Sequence, residues 1–158
     1  MAAIAESWDQ IEKGSSRVDA PLELDARTTE IIAAHFGLER EMELAFERLV
    51  VRPKELGRLG FGHKVSVLKA LLDCPIMDRV TGQLLAFNEL RNAAAHPKNP
   101  DLAPHIRKLR GLLRGSGIPR SSEVSVSSYA AVITSGLQTS LALATVRRAF
   151  GDMAKTHS

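Results

Sequence analysis

The stretch FGHKVSVLKALLDCPIMDRVTGQLLAFNELRNAAAHP, residues 61–97, decides the fold. Phe61, Val65, Leu68 and Leu72 recur at intervals of three and four, the apolar stripe of an amphipathic helix. Asp73-Cys74-Pro75 interrupts that stripe. A second stripe follows through Ile76, Val80, Leu84 and Phe87 and runs on to Ala95. His96-Pro97 stops it, because a proline disfavours helical geometry in the residue before it. Two helices joined by a tight break are therefore expected.

The same period extends on both sides. Upstream, Ile31, Ile32, His35, Leu38, Met42, Ala45, Phe46 and Leu49 mark a long helix from about Thr28, with Pro53 ending it. Gly57, Gly60 and Gly62 mark the loop that follows. Residues 1–27 have weak periodicity and read as an arm with a short helix at most. Downstream, Asn99-Pro100 opens a short basic segment carrying Leu102, Ile106, Leu109 and Leu113. Gly115-Ser116-Gly117 and Pro119 form a linker, and a final helix is expected from about Ser122 toward Met153. Within it, Ser125–Tyr129 alternates almost like a strand, whereas Ile133, Leu137 and Leu141 favour helix. Gly136, Ser140 and Ala144 form a small-residue row, read as core packing ahead of a dimer seam. The expected class is all-α: a bundle of four main helices plus a short basic helix, spanning residues 28–155.

Composition fits this reading and excludes several function classes. The chain has 158 residues, 44% hydrophobic and 25% charged, enough for one domain with a substantial core. One Cys excludes a disulfide framework and a thiolate zinc cage. No export signal is visible at Met1–Trp8, and no apolar run is expected to reach the roughly 18 residues that span a bilayer. A cytoplasmic protein with no membrane partner is the expectation. Aromatics at 4% count against base-stacking platforms for single strands.

The chemistry concentrates in Asn88-Glu89-Leu90-Arg91-Asn92-Ala93-Ala94-Ala95-His96. At about 100° per residue, Leu84, Val80, Phe87 and Ala94 share one side with Arg91 at its margin. Asn88, Glu89, Asn92 and His96 fall on the adjacent side. A partly buried guanidinium needs a carboxylate, phosphate or carbonyl partner. His96 belongs at the helix C-terminus, where the dipole favours a cation. RNA cleavage without a metal needs a proton-transfer group and a cation for the charge that builds on phosphate. His96 suits the first role, Arg91 the second, and Asn92 can orient either. A plain structural reading stands beside this one: an Arg bonding exposed helix-end carbonyls and a His acting as a cap.

Arg91-Asn92-Ala93-Ala94-Ala95-His96 resembles the signature of the HEPN superfamily (higher eukaryotes and prokaryotes nucleotide-binding), an Arg, a polar residue and a spaced His late in a core helix. Phe61-Gly62-His63-Lys64-Val65, with Leu68 and Ala70-Leu71-Leu72, is similar to the preceding helix in HEPN-like proteins of the mannitol-repressor and related bacterial types. The resemblance covers residues 28–150 as a layout and 61–97 in particular residues. It implies a helical homodimer whose two motifs face each other, in catalytic members a metal-independent endoribonuclease of toxin or defence type with a cognate antitoxin. Carried over by position, Arg91, Asn92 and His96 are the catalytic set, with no cofactor. The mannitol-repressor-like branch implies instead a non-catalytic regulator, or a module binding nucleotide or protein.

Charge is unevenly placed. Residues 91–120 hold seven basic side chains and one acidic, +6 of a total of +3, which leaves −3 for the rest. Lys98, Arg107, Lys108, Arg110 and Arg114 suit an RNA phosphate backbone; a solvated face or a dock for an acidic partner is the equal alternative. Asn88, Glu89 and Lys64 are supporting candidates. Lys64 reads either as a salt-bridge residue or as facing the cleft, and Glu89 as a partner for Lys64 or for the neighbours of Arg91. His35 reads as a hydrogen-bonded core histidine and Cys74 as a small filler between helices. His96 with His105 is a poor metal pair without carboxylate or Cys support. Residues 61–80 fit a helix-turn-helix poorly, because no basic recognition helix follows the turn.

Overall fold

The computed structural model describes residues 25–96, 101–116 and 124–156. Among these it is entirely helical: α1 (Ala26–Leu49), α2 (Pro53–Leu56), α3 (Phe61–Leu71), α4 (Pro75–Ala94), α5 (Ala103–Leu112) and α6 (Val126–Thr156). The all-α bundle expected from the periodicity is what forms, with α1, α3, α4 and α6 as its main helices and α5 as the short basic one. Of the N-terminal arm expected at 1–27, residues 1–24 lie outside the described residues, as does Lys98, while Asp25, Ala26 and Arg27 cap and begin α1.

Local chemistry sets the boundaries. Asp25 caps α1 by accepting from the Thr28 backbone N–H at 2.8 Å and from its hydroxyl at 2.9 Å. That backbone bond, followed by the hydroxyl bond, holds the Asp25 carboxyl below its ordinary range. Pro53, Pro75 and Pro104 each sit in the first turn of a helix, where the missing N–H has no intrahelical partner to lose. Cys74 caps α4 in extended geometry and is buried, as a filler should be. Past α5, Gly115 takes a left-handed φ of 83°, which glycine adopts at no steric cost. The strand-like alternation at Ser125–Tyr129 resolves as helix from Val126, because Val126, Tyr129, Ala130 and Ile133 then turn together into the core. The final helix therefore starts four residues later than its expected Ser122.

Cross-helix contacts give the directions. Asp73 accepts from Arg147 at 3.0 Å, and Val80 lies against Gly136, so α4 and α6 are antiparallel. Glu30 meets Ser127 and Glu41 meets Gln138, so α1 and α6 are parallel. Lys108 meets Glu89, and Gln83 donates to the Leu112 carbonyl, so α5 also runs against α4. Hence α4 runs against α1, α5 and α6, and its C-terminal end lies where those three begin.

The core gathers Ile31, Leu38, Met42, Phe46, Leu68, Leu84, Phe87, Leu90, Tyr129, Ile133 and Leu137 from all the main helices. A Cβ added at Gly136 would stand 2.7 Å from Val80 Cγ2, so the small-residue row brings α6 close to α4. Ser140, next in that row, is wholly buried and donates to the Gly136 carbonyl at 2.9 Å. One expectation is corrected here. Val126–Ala149 is 24 residues with a window of mean hydropathy 1.3, long and apolar enough to cross a membrane by length and composition. Scattered polar residues (Ser135, Gln138, Thr139 and Ser140) hide this apolar span from a reading by runs. A core helix passes the same test, and Ile133, Leu137 and Leu141 are buried in the core.

Candidate functional site

Arg91, Asn92 and His96 occupy the last turn of α4 and the residues just past it. The helix ends at Ala94, one residue before the expected Ala95, which caps it. The Ala95 N–H donates to the Arg91 carbonyl at 3.0 Å, and the His96 N–H donates to the Ala93 carbonyl at 3.2 Å. The shorter second span tightens the last turn and leads His96 out of the helix. His96 and Asn92 are exposed and Arg91 is half-buried. Arg91 Nη1 donates to Asn92 Oδ1 at 3.1 Å, and among the described residues no carboxylate pairs with Arg91. Its partner is thus the side-chain carbonyl oxygen of a neutral amide in place of a carboxylate.

The polar seam expected along α4 divides between two neighbours. Asn88 turns toward α1, where His35 Nε2 stands 3.1 Å from its Oδ1. Glu89, about 100° further round the helix, turns toward α5 and receives Lys108 Nζ at 2.6 and 2.8 Å. So Glu89 pairs with Lys108 of α5, not with Lys64 or a neighbour of Arg91 on α4. Lys64 is 2% exposed and belongs to a different cluster, held by Glu39 at 2.6 Å and Glu43 at 3.2 Å. Of its two readings, the salt bridge is the one observed. Burial works against its charge, but the hydrogen bonds and charges of the two carboxylates outweigh it and hold the ammonium above its ordinary range.

His35 is the hydrogen-bonded core histidine its position on the apolar stripe implied. Its ring lies 4.4 Å from the Phe61 ring. Burial pushes its pKa down; the Asn88 bond and Glu39 work the other way, and the nearby Arg91 charge lowers it further. His35, Asn88 and Arg91 are therefore close enough to sense one another. Nothing local could announce this, since His35 and Asn88 stand 53 residues apart.

The basic segment is only partly available. Arg107 and Arg114 are exposed, Lys108 is engaged by Glu89, and Arg110 Nε donates to Tyr129 Oη at 3.1 Å. Because α5 runs against α4, Arg107 and Lys108 lie toward the motif end and Arg114 points away along the bundle. The positive dipole ends of α1, α5 and α6 share the motif end, and Arg91 suits the negative end of α4. Two surface grooves, one between α1 and α6 around Gly37 and Ala130 and one around Phe46 and Pro53, do not include the motif. Among the described residues, no three His, Cys, Asp or Glu side chains gather as a metal site. No family model matches the chain, and neither a curated protein nor a solved structure matches it significantly.

Proposed function

We propose that the chain is a metal-independent endoribonuclease of the HEPN kind, acting as a homodimer on cellular RNA in the cytoplasm, with Arg91, Asn92 and His96 as its reacting set. The observation that carries this reading is the open end of α4: Arg91 and His96 stand there together with no carboxylate neutralising the guanidinium among the described residues. A cation without an anionic partner at an accessible helix end suits a phosphodiester. In the reaction, an imidazole takes the 2′-hydroxyl proton and the 2′-oxygen attacks the adjacent phosphorus. The bond to the 5′-oxygen breaks, and that oxygen takes a proton. The products are a 2′,3′-cyclic phosphate and a 5′-hydroxyl. Arg91 holds the charge that grows on the non-bridging oxygens. Base and acid are both needed, and each motif offers one imidazole, which favours two copies facing each other. Arg107, and Lys98, which follows His96 by two residues in sequence, would steer the RNA backbone. A cognate antitoxin would act by covering this end.

The test is cleavage of an oligoribonucleotide in EDTA by the wild type, His96→Ala and Arg91→Ala. Loss of about 100-fold or more in either variant is expected from removal of one proton-transfer or charge-stabilising group. Cleavage that survives His96→Ala unchanged overturns the assignment. RNA or nucleotide binding without cleavage by the wild type identifies instead the non-catalytic regulator or binding module of the mannitol-repressor-like type.

A further inference from the structure

We infer that Asn88 is a further substrate-binding residue of this site, its side-chain amide presented to an RNA phosphate by His35 of α1, which acts as a positioning residue. The inference rests on the ribonuclease reading for its substrate and on the following geometry for its residues. Asn88 lies one turn before Arg91 and Asn92, at i+3 and i+4, so the three side chains share one face of α4. His35 Nε2 is 3.1 Å from Asn88 Oδ1. An amide oxygen accepts hydrogen bonds, so the imidazole must place its N–H at Nε2. With the ring in that tautomer, the bond holds the amide in this one orientation. With Oδ1 held by α1, the Nδ2 group is the outward end, and it has no hydrogen-bond partner among the described residues.

His35 is well built for this task. It is 5% exposed and its ring rests on Phe61 at 4.4 Å, so neither its position nor its ring plane is free. The groups facing it are Arg91 and Asn88 from α4 and Glu39 from its own helix, while Glu39 is itself engaged by Lys64 of α3. Burial, and after it the nearby Arg91 charge, holds the ring's pKa below its ordinary value against the Asn88 bond and Glu39, which favours the ring with a single N–H. A half-buried amide with two fixed donors, beside a guanidinium lacking a carboxylate, forms a two-point grip for a non-bridging phosphate oxygen pair. An asparagine left to rotate could instead turn its oxygen, an acceptor, toward the anion.

The experiment combines kinetics with a direct view of the amide. Cleavage of an oligoribonucleotide is measured for the wild type, Asn88→Ala, His35→Leu and His35→Gln, and the side-chain amide resonance of Asn88 is followed while uridine 3′-monophosphate is added. Asn88→Ala is expected to raise KM about tenfold with kcat within about twofold, the size of one hydrogen bond to a charged group. His35→Leu should raise KM in the same sense. His35→Gln, which keeps a donor at the same place, should restore it; a purely structural histidine would show no such split between KM and kcat. The Asn88 amide signal should shift with nucleotide in the wild type and not in His35→Leu. Wild-type cleavage with an unmoved amide signal and an unchanged KM in Asn88→Ala overturns this inference and leaves the ribonuclease reading standing. An amide that shifts with nucleotide in a protein that cleaves nothing supports the inference and removes the ribonuclease. A protein that neither cleaves RNA nor shifts the amide overturns both.

Discussion

Lys64 and Arg91 are both cations near the surface of α1, and the fold treats them in opposite ways. Lys64 is withdrawn into the bundle and met by two carboxylates, Glu39 and Glu43, at 2.6 and 3.2 Å. Arg91 remains half-buried at the end of α4 with an uncharged asparagine as its partner. A buried charge without compensation costs several kcal/mol, so the Lys64 cluster is arranged around neutralisation. The Arg91 end leaves positive charge unspent, beside the starts of three helices whose dipoles add to it. The difference teaches that the interior cation ties helices together, while the end cation has no carboxylate partner among the described residues.

The largest expected effect tests that division directly. Lys64→Ala should lower the unfolding free energy by about 2–4 kcal/mol, below the full cost of a broken buried pair because Glu39 and Glu43 remain 28% and 38% exposed. Arg91→Ala should cost less, about 1 kcal/mol, since it removes a half-buried side chain with one neutral hydrogen bond and a favourable place at a helix C-terminus but no ion pair among the described residues. Urea unfolding of both variants measures the contrast, and equal losses would erase it. Gly136→Ala comes next. Its new methyl would stand 2.7 Å from Val80, a β-branched side chain that is stiff within a helix. Overpacking partly offset by better helix propensity leaves a net loss of about 1 kcal/mol, visible as a lower melting temperature.

A smaller effect concerns pH. The folded-state pKa of His35 lies below its ordinary 6.5, chiefly through burial, so the unfolded chain binds this proton more readily. Its contribution to stability is complete above about pH 6.5 and is lost as the pH falls through the folded value. In stability measured between pH 8 and 5, His35→Gln should flatten part of the acid-side decline. The smallest effect belongs to the exposed Glu89–Lys108 pair, both side chains about half exposed. Glu89→Gln should cost at most about 1 kcal/mol, fading in salt, and a larger loss would mean that α5 is anchored electrostatically.

Much of the architecture was legible because apolar spacing reports helices well. Phe61–Leu71 and Pro75–Ala94 appear as helices with the break at Cys74 between them; Phe61, Val65, Leu68, Leu72, Val80, Leu84 and Phe87 are buried as read, while Met77 takes the core place expected of the partly buried Ile76. Ser125–Tyr129 was ambiguous, since Val and Ser in alternation satisfy a strand as readily as one helical turn. Only burial of Tyr129 and Ile133 decides it. The motif residues were placed correctly at the end of their helix, but their surroundings were not legible. Asn88 and Glu89 looked like members of one polar seam, yet they turn to α1 and α5. Lys64 looked available to Glu89 until α1 supplied two nearer carboxylates. Partnerships across 53 or 25 residues depend on helix directions, which periodicity does not encode.

The parallel pairing of α1 and α6 has a consequence for how the chain acquires its shape. Glu30 and Ser127 are separated by 97 residues, as are Glu41 and Gln138. Such contacts close late, because a long loop's entropy must be overcome before they contribute. During synthesis, the α3–α4 hairpin can form from local contacts while Ile31, Leu38 and Leu84 wait for their covering helix. The bundle is thus completed by its final helix, and a nascent chain halted before residue 126 would display a bare apolar flank. Closure of the bundle is expected to wait until α6 is available to cover the core.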